Sequence, residues 1–568
     1  MNRAASLPTP GLLLGAYPER ADDGRSMRFG GCPAPTIPEV RQQLAALAAL
    51  RGDAFEAAVR AARLSLQRDG TRREHVAVAL ALACVAFERV LRVRLFDTQL
   101  AAARIVLQDR LAEMATGEGK TYAVALAAAV CALGGIPVHV ITANDYLVTR
   151  DATMLAPVYG VLGLSVGAVT QDLAREQRRH AYAQPVTYCT AKEVAFDYLR
   201  DGLVRERDPV RAHLAELCSA PTERPVLRGL CMAIVDEADH VLIDEARVPL
   251  VLAAPAPRAE APDTMAHALA LAQPLREGVH FVRAHKACEL TPAGQAEIAR
   301  LAAGLGAGAG PWRNRVHRES MVQTALCALH VFRRDHEYLV RDGEVLVIDT
   351  STGRLAPGRT WSLGLHQAIE SKEGCALSEA QSTIAQITYQ RFFARYLRLA
   401  GVSGTLHESR RELRAVYDLR VERVAERHAS RRRTLPTRLF ADRATLWAAV
   451  ARRIVDMAGI GRPVLVGTDS VADSDELSRC LRAHGIEHAV LSARHDHIES
   501  AIVAGAGRRG AATVATNMAG RGTDIPLEDG VAELGGLHVI CCQLNAARRI
   551  DRQLAGRCAR QGDPGSVE

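Results

Sequence analysis

Three short runs carry the residue types that phosphoryl transfer needs. The first is Ala115-Thr-Gly-Glu-Gly-Lys-Thr121. Its glycines at 117 and 119 let backbone N–H groups turn toward a polyphosphate. The start of the apolar helix expected over Tyr122 to Leu133 adds a positive dipole end. Lys120 then reaches the β/γ-phosphates, and the Thr121 hydroxyl can ligate Mg2+. The usual phosphate loop opens with a glycine four residues ahead of its Gly-Lys pair. Met114 occupies that place, and Gly117 supplies the flexibility instead. A helix is expected to precede the loop.

The second run is Met232-Ala-Ile-Val-Asp-Glu-Ala-Asp239. Four apolar residues predict a buried strand whose carboxylates emerge at its C-terminal end, where parallel sheets bind ligands. Asp236 is the candidate Mg2+ holder. Glu237 is the candidate that orients or deprotonates the attacking water. Asp239 is expected to couple domains. The third run, Gln553-Leu-Ala-Gly-Arg-Cys-Ala-Arg-Gln-Gly562, places Arg557 and Arg560 three apart on one helix face. Either can act as an arginine finger across a cleft. Thr516 to Asp524 supplies the rest of that face, with Asp524 holding a ribose or coupling to the cleft.

Only four lysines occur among the 71 basic residues, at 120, 192, 286 and 372. In so arginine-rich a chain, a retained lysine marks a place where a compact ammonium serves and a planar guanidinium does not. Lys120 is such a place.

Two alternating regions are expected to hold these runs. Between about 109 and 247, strand candidates Val138 to Thr142, Leu164 to Val169, Val186 to Tyr188 and Met232 to Val235 alternate with helical segments. Such alternation predicts a parallel sheet covered on both faces. From about 420 the candidates are Pro463 to Val466, His488 to Leu491, Thr513 to Ala515 and Leu537 to Ile540. Arg431 to Arg438 reads as a basic, solvated connector. The fold class is therefore α/β, with two parallel-sheet lobes. The division is 1–108 leader and helical preamble, 109–250 first lobe, 251–347 insert, 348–419 first lobe resumed, and 420–568 second lobe. Residues 1–36 read as a loose leader, Gly304 to Gly310 as a flexible loop, and Glu344 to Asp349 as the strand closing the insert.

Hydrophobic residues at 48% and charged residues at 24% exclude a chain disordered in bulk. A formal charge of +7 permits contact with an anionic lipid surface or nucleic acid without requiring either. The 13 cysteines include no C-x-x-C pair and so read as free thiols in a reducing cytosol. The apolar run Val76 to Phe87 falls short of the roughly 20 residues that span a bilayer. It reads as a buried helix, and no signal peptide is evident.

The order of these runs resembles the two-lobed helicase superfamily. Longer strings resemble the SecA motor family: Phe96-Asp-Thr-Gln-Leu100, Thr142 to Leu147, Phe196 to Asp201, Val235 to Pro249, Thr352 to Glu373, Ala515 to Asp524, Gly535 to His538, Arg548 to Asp551 and Gln553 to Asp563. The resemblance implies two RecA-like lobes and an inserted α+β preprotein-binding domain. It implies ATP and Mg2+ at the cleft, with Gln99 on the adenine and Gly117, Glu118, Gly119, Lys120 and Thr121 as the phosphate loop. It makes Asp236 and Glu237 the Mg2+ and water-activating pair, Asp524 the second-lobe nucleotide contact, and Arg557 and Arg560 the sensing arginines. Gly404-Thr405 links hydrolysis to lobe movement. The implied partners are a SecYEG-type membrane channel, unfolded preproteins and an anionic membrane surface. A homodimer is left open, and nucleic acid is not expected. The implied location is cytoplasmic, peripheral on the inner face of the bacterial plasma membrane.

Three features depart from the family. The insert is short, Cys541-Cys542-Gln543 stands where a Gly-Thr-Glu run is usual, and the family continues beyond the position of Glu568. The last reads as a short form or a fragment. Two other readings remain. Asp236-Glu-Ala-Asp239 spells a helicase tetrapeptide, although 4% aromatic residues give little stacking surface for a single strand. A regulatory partner of a full-length motor is the second.

Overall fold

The computed structural model describes residues 19–20, 34–207, 225–255, 262–284, 287–304, 312, 314–348, 360–361, 364–378, 381–491, 499–516, 524–545 and 547–568. Most of the 1–36 leader, residues 305–310 of the Gly304 to Gly310 loop, Asp349, residues 352–359 and 362–363 of the Thr352 to Glu373 run and residues 517–523 of the Thr516 to Asp524 run lie outside them.

Seven parallel strands form the first sheet. Their order is Val421–Arg423, Leu111–Glu113, Arg398–Ser403, Met232–Asp236, Val138–Thr142, Val186–Thr190 and Val166–Val169. Alternate side chains feed two cores. Met232 and Ile234 face one, and Ala233 and Val235 face the other. This is the period-2 exposure of a strand buried on both faces. Helix Lys120–Leu133 lies in the first core and is buried from Ala123 to Leu133. Helix Arg73–Leu91 packs beside it, buried at every position from Val76 to Phe87 except Val78, as the short apolar run predicts.

The second sheet has six parallel strands. Their order is Arg431–Thr434, Pro564–Val567, His538–Cys541, Val464–Thr468, Ala512–Thr516 and Ala489–Leu491. The Arg431 to Arg438 run is thus partly corrected. Its first four residues are an edge strand, exposed at each position. Arginines there leave the edge charged, which discourages pairing with another chain. That role hides from a search for apolar alternation.

An antiparallel pair, Pro249–Pro255 with Gln381–Thr388, leaves the first lobe and returns to it. Between its strands lie helices Pro262–Ala272, Pro292–Gly304, Arg315–His330 and Leu365–Glu373 and two small hairpins. They share an apolar core around Phe281, Val322, Leu326 and Tyr338. Ala368 and Ile369 belong to that core, so helix Leu365–Glu373 packs with the insert although 348–419 was assigned to the first lobe. Glu344–Val347 pairs with Tyr338–Arg341 as a hairpin and does not close the insert. Val421–Arg423, expected in the second lobe, completes the first sheet.

Candidate nucleotide-binding cleft

The strand Leu111–Glu113 delivers the chain to the Ala115–Thr121 loop, where a helix had been expected. At three residues it is too short to show a period. Gly117 and Gly119 adopt φ of +89° and +83°, a region that side chains with a Cβ rarely occupy. A Cβ on Gly119 would also collide with Gln99 Nε2. The helix then starts at Lys120, so its first N–H groups point into the loop.

Strand Met232–Asp236 ends beside this loop. Lys120 Nζ donates to Glu237 Oε1 at 2.9 Å, with both side chains nearly buried. Glu237 holds φ of +51°, an uncommon conformation for a residue with a Cβ, and it recurs where structure is held for function. Asp236 Oδ1 accepts from the Glu237 N–H at 2.9 Å. Burial, followed by the Glu237 charge, pushes the Asp236 carboxyl up to about 7 against the pull of Lys120.

The second lobe closes the other side. A cavity of about 430 Å³ is lined by Gly117, Gly119, Lys120, Thr121, Asp236 and Glu237 from one lobe and by Asp524, Gln553, Arg557 and Arg560 from the other. Arg560 donates to Asp524 and, from Nε, to the Gly556 carbonyl at 3.1 Å. A Cβ on Gly117 would come within 3.1 Å of the Arg560 Cβ. Thr116 Oγ1 donates to the Gly556 carbonyl at 2.7 Å. Asp239 accepts from Ser403 and Thr405, both at 2.6 Å, and from Gln553 of the other lobe.

The SecA DEAD-like domain matches residues 32–414, and the SecA P-loop domain matches residues 429–531 and 527–568. The chain belongs to the SecA family. The protein translocase subunit SecA 2 of Nitrosospira multiformis is 47% identical to this SecA chain over 528 residues, 92% of this chain and 79% of that protein. SecA 3 of Magnetococcus marinus is 44% identical, over 89% of this chain and 76% of that protein. SecA of Nitratidesulfovibrio vulgaris (strain Hildenborough) is 41% identical, over 86% of this chain and 56% of that protein. As a SecA-family chain with a P-loop domain, it is a nucleotide-binding ATPase.

Of the residues singled out in this SecA sequence, Gly117, Gly119, Lys120, Thr121, Asp236, Glu237, Asp524, Arg557 and Arg560 share the cavity wall. Gln99 and Glu118 are not on that wall: Glu118 belongs to the loop itself, and Gln99 packs against the loop from the preceding helix. Gln99 Oε1 accepts from the Phe96 N–H at 2.9 Å, and its Nε2 donates to the Glu118 carbonyl at 3.2 Å. Sequence reading missed Thr116 and gave no separate role to Arg549, Arg552 or Gln553. Arg549 pairs with Asp244, and Arg552 pairs with Glu113 and Glu408. The positions 549, 552, 553 and 556 repeat at i, i+3, i+4 and i+7, the spacing of one helix face. That spacing was the available signal. Among the described residues no helix is long and apolar enough to cross a membrane, and no cluster of three or more His, Cys, Asp or Glu can hold a metal ion.

Proposed function

We propose that the chain is an ATP-driven motor of Sec-dependent protein translocation, using hydrolysis to move unfolded preproteins through a SecYEG-type channel. The observation that carries this reading is the shared cavity wall, with Lys120 and the two carboxylates on one lobe and Arg557 and Arg560 on the other. Its relatives bear the name protein translocase subunit SecA.

In this reading Lys120, which pairs with Glu237, is the cation that meets the β/γ-phosphates. Phosphates draw Lys120 away and free Glu237 to orient the attacking water. Arg557 and Arg560 meet charge developing on the transferred phosphoryl group. Gln99 braces the loop from behind and meets the adenine at its edge, and Asp524 holds Arg560 at the nucleotide.

The donor set suits Mg2+: a carboxylate whose ionisation burial disfavours gains most from a cation beside it. Thr121 and Asp236 would hold the ion, which would supply positive charge to the phosphate oxygens. The insert between Pro255 and Gln381 rides on its two-stranded stem and serves as the preprotein grip. The formal charge of +7 and the exposed arginines at 431–433 suit an anionic membrane face, on the inner side of the plasma membrane.

The test is ATP turnover with and without unfolded preprotein and channel-bearing vesicles. Wild-type turnover rises with both present. Lys120→Ala and Glu237→Gln lose it, and intact turnover in either removes the assignment. ATP-coupled strand displacement without preprotein stimulation decides for a helicase. ATP binding without turnover decides for a regulatory partner.

A further inference from the structure

Glu113 ends the strand that leads into the phosphate loop, and its side chain is only 6% exposed. Its Oε2 accepts from the Leu406 N–H at 2.7 Å and from the His407 N–H. Its Oε1 accepts from Arg423 Nε at 3.0 Å and from Arg552 Nη2 at 3.2 Å. Arg552 comes from the second lobe. Its Nη1 donates to both oxygens of Glu408 at 2.6 and 2.8 Å, and its Nη2 reaches the Gly404 carbonyl at 3.4 Å. One carboxylate therefore joins the strand into the phosphate loop, the loop after Ser403-Gly-Thr405, the chain leaving the first sheet, and the second-lobe helix that precedes Arg557.

None of Glu113, Glu408 or Arg552 lines the nucleotide cavity. The guanidinium is forked between two carboxylates, which fixes direction as well as distance. Arg552 precedes Gln553, which reaches Asp239 and Thr405. Five and eight residues further on are Arg557 and Arg560. Fixing Arg552 therefore fixes the rotation and tilt with which the arginine segment meets the phosphate loop.

We propose that Glu113, acting through Arg552, is a positioning residue for hydrolysis: it sets where Arg557 and Arg560 stand before nucleotide binds. This rests on the reading that those two arginines complete the ATP site. Glu408 takes the other arm of the same fork and steadies it. Arg423 and two N–H groups still satisfy Glu113 when Arg552 is lost, so Arg552→Ala loosens the helix without stranding a buried charge.

The experiment uses the full chain, steady-state ATP turnover, binding of a fluorescent ADP analogue and thermal melting. Arg552→Ala lowers kcat by about 10- to 100-fold, the penalty of a small misplacement of reacting groups. ADP affinity and melting temperature stay near wild type, a split that general damage to the fold does not produce. Arg552→Lys keeps the charge but loses the fork, and falls between. Glu408→Gln and Glu113→Gln lower kcat in the same sense, and if the buried Glu113 variant does not fold, the less buried Arg552 and Glu408 variants decide. Wild-type kcat in Arg552→Ala beside inactive Arg557→Ala and Arg560→Ala overturns the alignment alone. Wild-type kcat in both arginine variants overturns the reading beneath it as well.

Discussion

Replacing Asp236 with asparagine is expected to make the first lobe more stable at alkaline pH while abolishing turnover. In the folded chain its carboxyl is pushed from 3.8 to about 7, by burial first and by Glu237 second. That displacement corresponds to roughly 4 kcal/mol between protonation states. Asp236 opens onto the cleft and is only half-buried, so solvent screening reduces the realised value to about 1–3 kcal/mol. The sign follows from proton binding. Between pH 4 and 7 the folded state holds more protons than the unfolded state, so this group's contribution falls as pH rises and levels off above about 7. Asparagine removes that dependence. At pH 8 the variant gains its full increment; at pH 5 roughly a third remains, and below about pH 4 none. For a lobe of this size each kcal/mol moves the melting temperature by about 2–4 °C. Differential scanning fluorimetry of both chains without nucleotide or Mg2+, at pH 5 and pH 8, reads the effect. An equal rise at both pH values, or none at pH 8, refutes the account of a carboxylate held uncomfortably ionised.

Mg2+-dependent nucleotide affinity in the wild type is expected to weaken as pH falls through about 7, because protonated Asp236 is no ligand; titrations with and without EDTA separate this from metal-free binding. Gly119→Ala places a methyl against Gln99 and forces φ of +83° on alanine, so ADP affinity should fall by about tenfold or more in a fluorescence titration. Arg398 and Asp109 pair at 2.7 Å with both side chains buried, and Arg398 also donates to the Leu107 carbonyl. Arg398→Ala should therefore destabilise the first lobe by about 3–5 kcal/mol in urea unfolding, chiefly by taking a buried guanidinium away from the buried Asp109 carboxylate.

Much of the cleft was legible in the sequence because its chemistry is contiguous along the chain. A Gly-x-Gly-Lys run and an apolar strand ending in two carboxylates mark their places locally. The arginine pair is also visible, but the helix face expected to carry it is corrected: the helix ends at Ala555, and Arg557 and Arg560 stand in the irregular turn beyond it, where Ala559 and Gln561 have positive φ. Edges and junctions declare nothing. Leu111–Glu113 is three residues long, and its membership in the sheet rests on partners about 290 and 310 residues away. Arg431–Thr434 has no apolar alternation because it is an edge. The extent of the insert was missed for a related reason: Ala368 and Ile369 are apolar in either setting, and only their place in the core that holds Val322 and Phe281 assigns them. Glu113 looked like an ordinary charged residue in a short strand, since its four partners come from three distant segments.

The helix Arg548–Ala555 shows why closure of the two lobes can be reversible. Leu554 points back into the second-lobe core, against Gly467, where a Cβ would collide with it. Its opposite face, Arg549, Arg552 and Gln553, reaches the first lobe through ion pairs and hydrogen bonds, with the Gly556 carbonyl just beyond. Among the described residues, none of the apolar cores contains residues of both sheets. Polar contacts of this kind contribute about 0.5–1.5 kcal/mol each, and somewhat more where a charge takes part. Seven such contacts join the lobes among the described residues, and at the lower end of that range they sum to about 3–4 kcal/mol, near the 1–3 kcal/mol by which a ligand usually biases two states. A nucleotide bridging Lys120 and Arg557 can therefore strengthen the contact, and its hydrolysis can weaken it. An apolar seal of the same area would hold the lobes shut through both steps, and the motor would stall.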